Sequence, residues 1–270
     1  MINRTDLALE KMEQKGEKIK VKTLNGVRVT AVDINDEKKE KLYERPRGKY
    51  ITLEFQNILK IIDCTELENQ LEKALLFLMP KKREKVLVAG LGNRDITCDS
   101  IGPLTAEKIL VTRHLDKNLN VKNVAVTVPD VLGKTGIETI EKIKGITDII
   151  KPDLVIVIDS LACTSIRRLF KTIQLCNSGI TPGSGIKSER KEISKKTLGI
   201  PVIAIGVPTV ADVENLAFEL SGKEAIFSTD LIITQKDADI QCHKFSEILA
   251  RVLNRVLQPE IEEEILQKLV

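Results

Sequence analysis

Val86-Leu87-Val88-Ala89-Gly90-Leu91 is an unbroken apolar run, followed directly by Gly92-Asn93-Arg94-Asp95-Ile96-Thr97-Cys98-Asp99-Ser100-Ile101-Gly102-Pro103. An apolar run this short reads as a strand buried on both faces, the pattern of a parallel sheet covered by helices. Similar runs recur at residues 124–128, 154–158 and 202–207. Helical periodicity separates them over 102–115, 136–150 and 211–220. Alternating β and α units with buried strands predict an α/β fold, a doubly wound, mainly parallel sheet flanked by helices.

Moving toward the N-terminus, Thr65-Glu66-Leu67-Glu68 has the form of a capping box. Leu67, Leu71, Ala74, Leu75 and Leu78 then recur at helical spacing until Pro80. Earlier, Ile19, Val21 and Thr23 alternate on one side of Asn25-Gly26, and Val27, Val29 and Ala31 on the other. Asn-Gly between alternating runs predicts a hairpin, because a type I′ turn needs positive φ. A third strand over 50–55 follows the turn-rich Arg45-Pro46-Arg47-Gly48. Three parts are therefore expected: a polar, propeptide-like segment 1–17 outside the core, a small antiparallel β element over 18–62 packed on the main domain, and an α/β domain over 63–270. Residues 236–270 read as one or two closing helices, broken near Pro259.

The 270 residues are 42% hydrophobic and 30% charged, the balance of a folded globular chain. A net charge of +3, no basic stripe and no Trp argue against a dedicated nucleic-acid reader. No apolar run approaches the roughly 18 residues of a membrane span. Arg4, Asp6 and Glu10 interrupt anything like a signal peptide, so a soluble cytoplasmic protein is expected. Five cysteines (64, 98, 163, 176 and 242) without a C-x-x-C pair fit reduced thiols. His114 and His243 stand in no metal-ligand motif, so no metal or cofactor is expected, although carboxylates alone can hold an ion.

In an open α/β sheet, ligands bind beyond the carboxyl ends of the strands. The rim residues are then the 92–103 loop, Asp159-Ser160-Leu161-Ala162, and Pro208-Thr209-Val210-Ala211-Asp212. Gly90-Leu91-Gly92 begins a dinucleotide fingerprint, but Asp95 replaces its third glycine and would repel a pyrophosphate. Asp99 and Asp159 each have an ordinary alternative role as helix caps. Together, at adjacent strand ends, two carboxylates can share one proton and act as acid and base. Cys98 and Cys163 compete as nucleophiles, yet Asp99 beside Cys98 disfavours a thiolate, and buried inert thiols are the simpler reading. Residues 177–185 are rich in turn formers, fitting a loop or a substrate-gripping lid, and 187–196 form a solvated charge run.

Several strings together resemble the spore germination protease family, atypical aspartic endopeptidases of endospore-forming bacteria. They are Arg4-Thr5-Asp6-Leu7-Ala8-Leu9-Glu10, Gly48-Lys49-Tyr50-Ile51-Thr52-Leu53-Glu54 and the 90–103 loop. Gly133-Lys134-Thr135-Gly136-Ile137-Glu138-Thr139, Val157-Ile158-Asp159-Ser160-Leu161-Ala162 and Pro182-Gly183-Ser184-Gly185 continue the likeness, and Leu198-Gly199-Ile200-Pro201-Val202-Ile203-Ala204-Ile205-Gly206-Val207-Pro208-Thr209 closes it. The resemblance implies the fold of hydrogenase-maturation proteases and a tetrameric, self-processing zymogen of the forespore and spore core. It implies action on small acid-soluble spore proteins at germination, with Asp99 and Asp159 as the essential aspartates. Substrates of the family are cut after an acidic residue in a Thr-Glu-(apolar)-Ala-x-Glu string, so Asp6–Leu7 is the expected self-processing bond. An exposed terminus is also where nicking concentrates. Cys98 stands where many relatives have Pro, and Asn177-Ser178-Gly179 where they have Asp-Thr-Gly. Asn93, Thr181, Pro182 and Gly183 are the expected substrate contacts. Three alternatives stay open on the residues alone: a catalytically impaired paralogue that binds spore proteins, a metallohydrolase with the two aspartates as ligands, and a thiol hydrolase using Cys98.

Overall fold

The alternation hidden inside each apolar run becomes explicit in the computed structural model, which describes residues 5–115, 120–183, 191–222 and 230–269. Arg4, Ser184-Gly185 and residues 187–190 of the charge run lie outside the described residues. In chain order the elements are α1 (Ala8–Gln14), β1 (Val21–Leu24), β2 (Val27–Ile34), α2 (Glu37–Tyr43), β3 (Gly48–Glu54), α3 (Thr65–Leu78) and β4 (Lys85–Gly90). They continue with α4 (Ile101–Ala106), β5 (Asn123–Thr127), α5 (Leu132–Thr135), α6 (Thr139–Ile150), β6 (Leu154–Cys163) and β7 (Thr172–Cys176). The last are α7 (Lys195–Leu198), β8 (Val202–Asp212), α8 (Val213–Ser221), β9 (Ile232–Ile233), α9 (Ala238–Leu257) and α10 (Glu263–Leu269).

One sheet of order β1-β2-β3-β7-β8-β6-β4-β5 organises the chain, with β9 paired to β8. β5, β4, β6 and β8 are mutually parallel, and β8-β7-β3-β2-β1 are antiparallel. Successive side chains of a strand point to opposite faces. Accordingly Val86 and Val88 join one apolar cluster with α3, α4 and α9, while Leu87 and Ala89 join another with α6. Leu154, Ile156 and Ile158 of β6 divide from Val155 and Val157 in the same way. Both faces are thus covered, and both need apolar residues.

The hairpin forms as expected, with Asn25 at φ 43° and Gly26 at φ 84°. The antiparallel element joins the rest by extending its sheet, because β3 pairs edge to edge with β7. Residues 5–10 depart from the expectation of a segment outside the core. Leu7, Ala8 and Leu9 are buried, with Leu7 in one cluster and Ala8 in the other. Adjacent residues that bury into different clusters leave no single apolar stripe to read as core.

The capping box does not form. Thr65 is the first helical residue and its N–H donates to the Asp63 Oδ1 at 2.8 Å. The helix expected over 102–115 ends at Ala106. Beyond it the chain turns back on β5: Thr112 and Arg113 N–H groups both donate to the Val124 carbonyl. Asn254 bridges Leu110 N–H and the Lys108 carbonyl, replacing helical partners. β6 and β8 also outrun their apolar stretches, so Asp159 lies within a strand and not at its end. The closing helices α9 and α10 flank Pro259 as anticipated.

Candidate active site

Parallel pairing of β6 with β4 stops at Ile158 opposite Gly90, and the Leu91 N–H adds one more bond to the Ile158 carbonyl. β4 then departs while β6 continues beside β8, with a register shift between Leu161 and Ala162. Asp159 sits at this opening, 4% exposed, its Oδ1 accepting the Ser160 N–H at 3.0 Å.

The loop leaving β4 folds back over the same opening. Gly92 has φ 107°, and a Cβ there would lie 2.1 Å from the Asp99 carbonyl oxygen. Only glycine therefore lets the loop close on Asp99. The Asn93 N–H donates to Asp99 Oδ2 at 2.7 Å and fixes the carboxyl group. At the start of α4, a Cβ on Gly102 would meet the Leu91 carbonyl oxygen at 2.2 Å and that of Ile158 at 2.5 Å. Thr209 Oγ1 donates to the Cys98 carbonyl at 2.6 Å and ties the loop to β8.

Asp99, Asp159, Asp6, Pro182 and Gly183 line one cleft of about 180 Å³. Thr181 lines a neighbouring cavity of about 150 Å³, and Asp6 and Leu161 border both. Asn93 is not among the cleft residues: its side chain accepts the Asp95 N–H at 3.0 Å and only its main chain serves the site. Leu7 is buried in the core and does not line either space.

Residues 5–10 are seated rather than loose. The Asp6 N–H donates to the Ala162 carbonyl at 2.9 Å, and the Ala162 N–H donates to the Asp6 carboxylate at 2.8 Å. Gln174 brackets the segment, donating to the Asp6 carbonyl at 3.0 Å and accepting the Ala8 N–H at 2.7 Å. Arg45 donates to the Thr5 carbonyl. Further on, the buried Glu10 accepts the Thr164 and Ser165 N–H groups at 2.7 and 3.1 Å and pairs with Arg168. An exposed, easily nicked terminus is thus not what the described residues form. Thr209 belongs to the rim read from the sequence, whereas Arg45 and Gln174 escaped that reading as site residues. Gln174 left one signal, a lone amide between the apolar Ile173 and Leu175.

Cys98 also lines the cleft, but burial first and the Asp99 charge second push its thiol pKa up. Burial raises Cys163 as well and pushes Cys242 up to about 12. His114 and His243 are exposed and border neither space. Among the described residues no three His, Cys, Asp or Glu side chains cluster as metal ligands. Nor is any helix among them long and apolar enough to cross a membrane.

A search of solved structures finds a [NiFe] hydrogenase maturation protease, HycI from Thermococcus kodakarensis, at TM-score 0.38 and 17% identity. That match covers 68% of this chain and 98% of that protein. Sequence comparison is far more specific. The germination protease of Caldanaerobacter subterraneus subsp. tengcongensis is 37% identical, over 99% of this chain and 98% of its own length. That of Oceanobacillus iheyensis is 45% identical, over 77% of this chain and 64% of its own. The family model described as germination protease matches residues 2–219, a span that contains both aspartates, the 92–102 loop and the seated segment. With that span matched and relatives aligned along nearly the whole length, the chain belongs to the germination protease family, a family of peptidases.

Proposed function

We propose that this chain is an aspartic-type endopeptidase in which Asp99 and Asp159 activate water. The observation that carries the reading is the convergence of Asp99, Asp159 and Asp6 on one cleft from three distant parts of the chain. In this reading the two carboxylates share one proton, with one charged and one protonated, as close carboxylates do. The charged aspartate takes a proton from water as oxygen attacks the scissile carbonyl carbon. The protonated one hydrogen-bonds the carbonyl oxygen and stabilises charge as it develops there. Collapse of the tetrahedral intermediate breaks the C–N bond, and the amine leaves with a proton delivered from the pair. Which aspartate holds the proton first is a property of the pair and not of either residue.

In this reading the substrates are small acid-soluble spore proteins, degraded in the spore core as germination begins. The chain is made as a tetrameric zymogen, and Asp6–Leu7 is the bond it cuts in itself. The position of Asp6 on the wall of the aspartate cleft supports that assignment.

The test is peptide mapping by mass spectrometry after incubation with a small acid-soluble spore protein. Wild type, Asp99→Asn, Asp159→Asn and Cys98→Ala are compared. Cleavage after an acidic residue, abolished in both Asn variants and retained in Cys98→Ala, is the expected result. Because its raised pKa keeps Cys98 a neutral thiol near pH 7, alkylation at that pH is expected to be slow and harmless to activity. Intact substrate with wild type from pH 5 to 8, or full activity in either Asn variant, would overturn the reading.

A further inference from the structure

The second cavity has a composition unlike the aspartate cleft, and it contains a cation in an incomplete hydrogen-bonding state. Arg45 lines it, held in place by the loop that follows α2. Glu44 ends α2 in the left-handed conformation at φ 52°, and the Arg45 N–H returns to the Glu40 carbonyl. One residue on, the Pro46 carbonyl accepts the Tyr50 hydroxyl at 2.7 Å. The guanidinium is therefore fixed at its base.

Its head group is only partly used. One terminal nitrogen donates to the Thr5 carbonyl, whereas Nε is buried and has no hydrogen-bond partner. A guanidinium presents Nε and one terminal nitrogen as a fork matched to a carboxylate, and a single carbonyl oxygen leaves half the fork idle. The carboxylate of Glu192 lines the same cavity but accepts the Ser194 hydroxyl at 3.1 Å. Asp6 and Leu161 form the border between this cavity and the cleft of Asp99 and Asp159. Departure of residues 5 and 6 would remove the Thr5 carbonyl from Arg45 and one side of that border. A groove would then run from the fork of Arg45 to the aspartates.

We propose that this cavity receives the side chain on the acyl side of the scissile bond, and that Arg45 is the specificity-determining residue that selects an acidic side chain there. The proposal rests on the peptidase reading for its direction along the substrate. Its binding content does not depend on turnover. Arg45 makes no contact with the bond that breaks, so its effect falls on which peptide is accepted.

The experiment uses two hexapeptides copied from residues 5–10, with Glu or Gln in place of Asp6. In the first arm kcat/KM is measured with the full chain for wild type, Arg45→Gln and Arg45→Lys, with thermal melting as a check of folding. Wild type is expected to favour the Glu peptide about tenfold or more, the effect of a charge-assisted bidentate pair. Arg45→Gln should cut both peptides equally, and Arg45→Lys should fall between, since it keeps the charge but loses the fork. In the second arm the same peptides, fluorescently labelled, are titrated into an Asp99→Asn chain that begins at Leu7, so that Thr5 no longer occupies Arg45, with and without Arg45→Gln. The Glu preference should appear in binding and vanish with Arg45→Gln. A preference that survives Arg45→Gln in either arm overturns the proposal, as does equal binding of both peptides when Arg45 is present. If wild type cuts neither peptide while the Arg45-dependent preference in binding remains, the peptidase reading falls and the assignment of Arg45 stands.

Discussion

The two halves of the sheet divide the work differently. In the parallel half, the loop after β4 carries Asp99 and β6 carries Asp159, around the point where the pairing of β4 with β6 ends. In the antiparallel half, the loop before β3 and the middle of β7 carry Arg45 and Gln174, which hold the main chain of residues 5–8. One half supplies reactive groups and the other supplies grip. The parallel half tolerates no side chain at Gly90, Gly92 or Gly102, because loop, helix and strand ends meet within contact distance there. The antiparallel half acts through longer side chains that reach across space. Chemistry should therefore fail sharply when the first half is changed, and registration should degrade gradually when the second is.

The largest effect expected is on turnover. Asp99→Asn or Asp159→Asn should lower kcat by about a thousandfold or more, which corresponds to about 4 kcal/mol of barrier. The melting temperature should move little, since an amide retains the shape and the hydrogen-bond acceptor. Equal losses in the two single variants and in the double variant would indicate that the carboxylates act as a unit. Additive losses would break the idea of a shared proton.

Next in size is Gly102→Ala, which tests the close meeting of elements in the parallel half. A methyl group would lie 2.2 Å from the Leu91 carbonyl oxygen and 2.5 Å from that of Ile158, with backbone atoms as the obstacles. Backbone must shift, at a cost of about 2–3 kcal/mol in unfolding free energy. The same shift moves the loop that bears Asp99, so denaturant unfolding and kcat should both suffer. Loss of stability with unchanged kcat would show that the loop holds Asp99 independently of α4.

These two halves were also unequally legible. The parallel strands could be read because burial on both faces demands continuous apolar residues, and the two aspartates followed from where those runs stop. The exact end of β6 could not be read so, because Asp159 to Cys163 remain paired to β8 after β4 has left, and a polar residue inside a strand resembles a terminus. The hairpin was legible from Asn25-Gly26 and the alternating runs on either side of it. Its join to the main sheet was not, because edge-to-edge pairing of β3 with β7 is a long-range choice of register that leaves no local pattern. The seating of residues 5–10 was the least legible feature. Thr5 to Glu10 look like a polar terminus until Ala162, Gln174 and Arg168, more than a hundred residues away, supply their partners.

Gln174→Leu tests the grip of the antiparallel half. It removes a donor to the Asp6 carbonyl and an acceptor for the Ala8 N–H at a buried position. A loss of about 2 kcal/mol is expected from two main-chain groups left without that partner. Hydrogen exchange at the Ala8 amide should accelerate before any exchange in β4 or β6 does. Uniform acceleration through the sheet would mean that residues 5–8 belong to the cooperative core and are not a separable seat.

The smallest expected effect lies farthest from the chemistry. Gly26 occupies the second central position of the hairpin turn at φ 84°, with open space where a Cβ would go. Gly26→Ala therefore meets no steric obstacle and its cost is conformational alone, about 1 kcal/mol for a non-glycine residue held at positive φ. The melting temperature should fall by a few degrees, and kcat/KM should not change. That pair of outcomes separates scaffold from grip within the same half of the sheet. β1 and β2 stabilise β3, while Arg45 before β3 and Gln174 of β7 hold the main chain of residues 5–8. If Gly26→Ala instead alters kcat/KM without altering the fold, strain at the hairpin is reaching Arg45 through β3, and the antiparallel half must be treated as one mechanical unit.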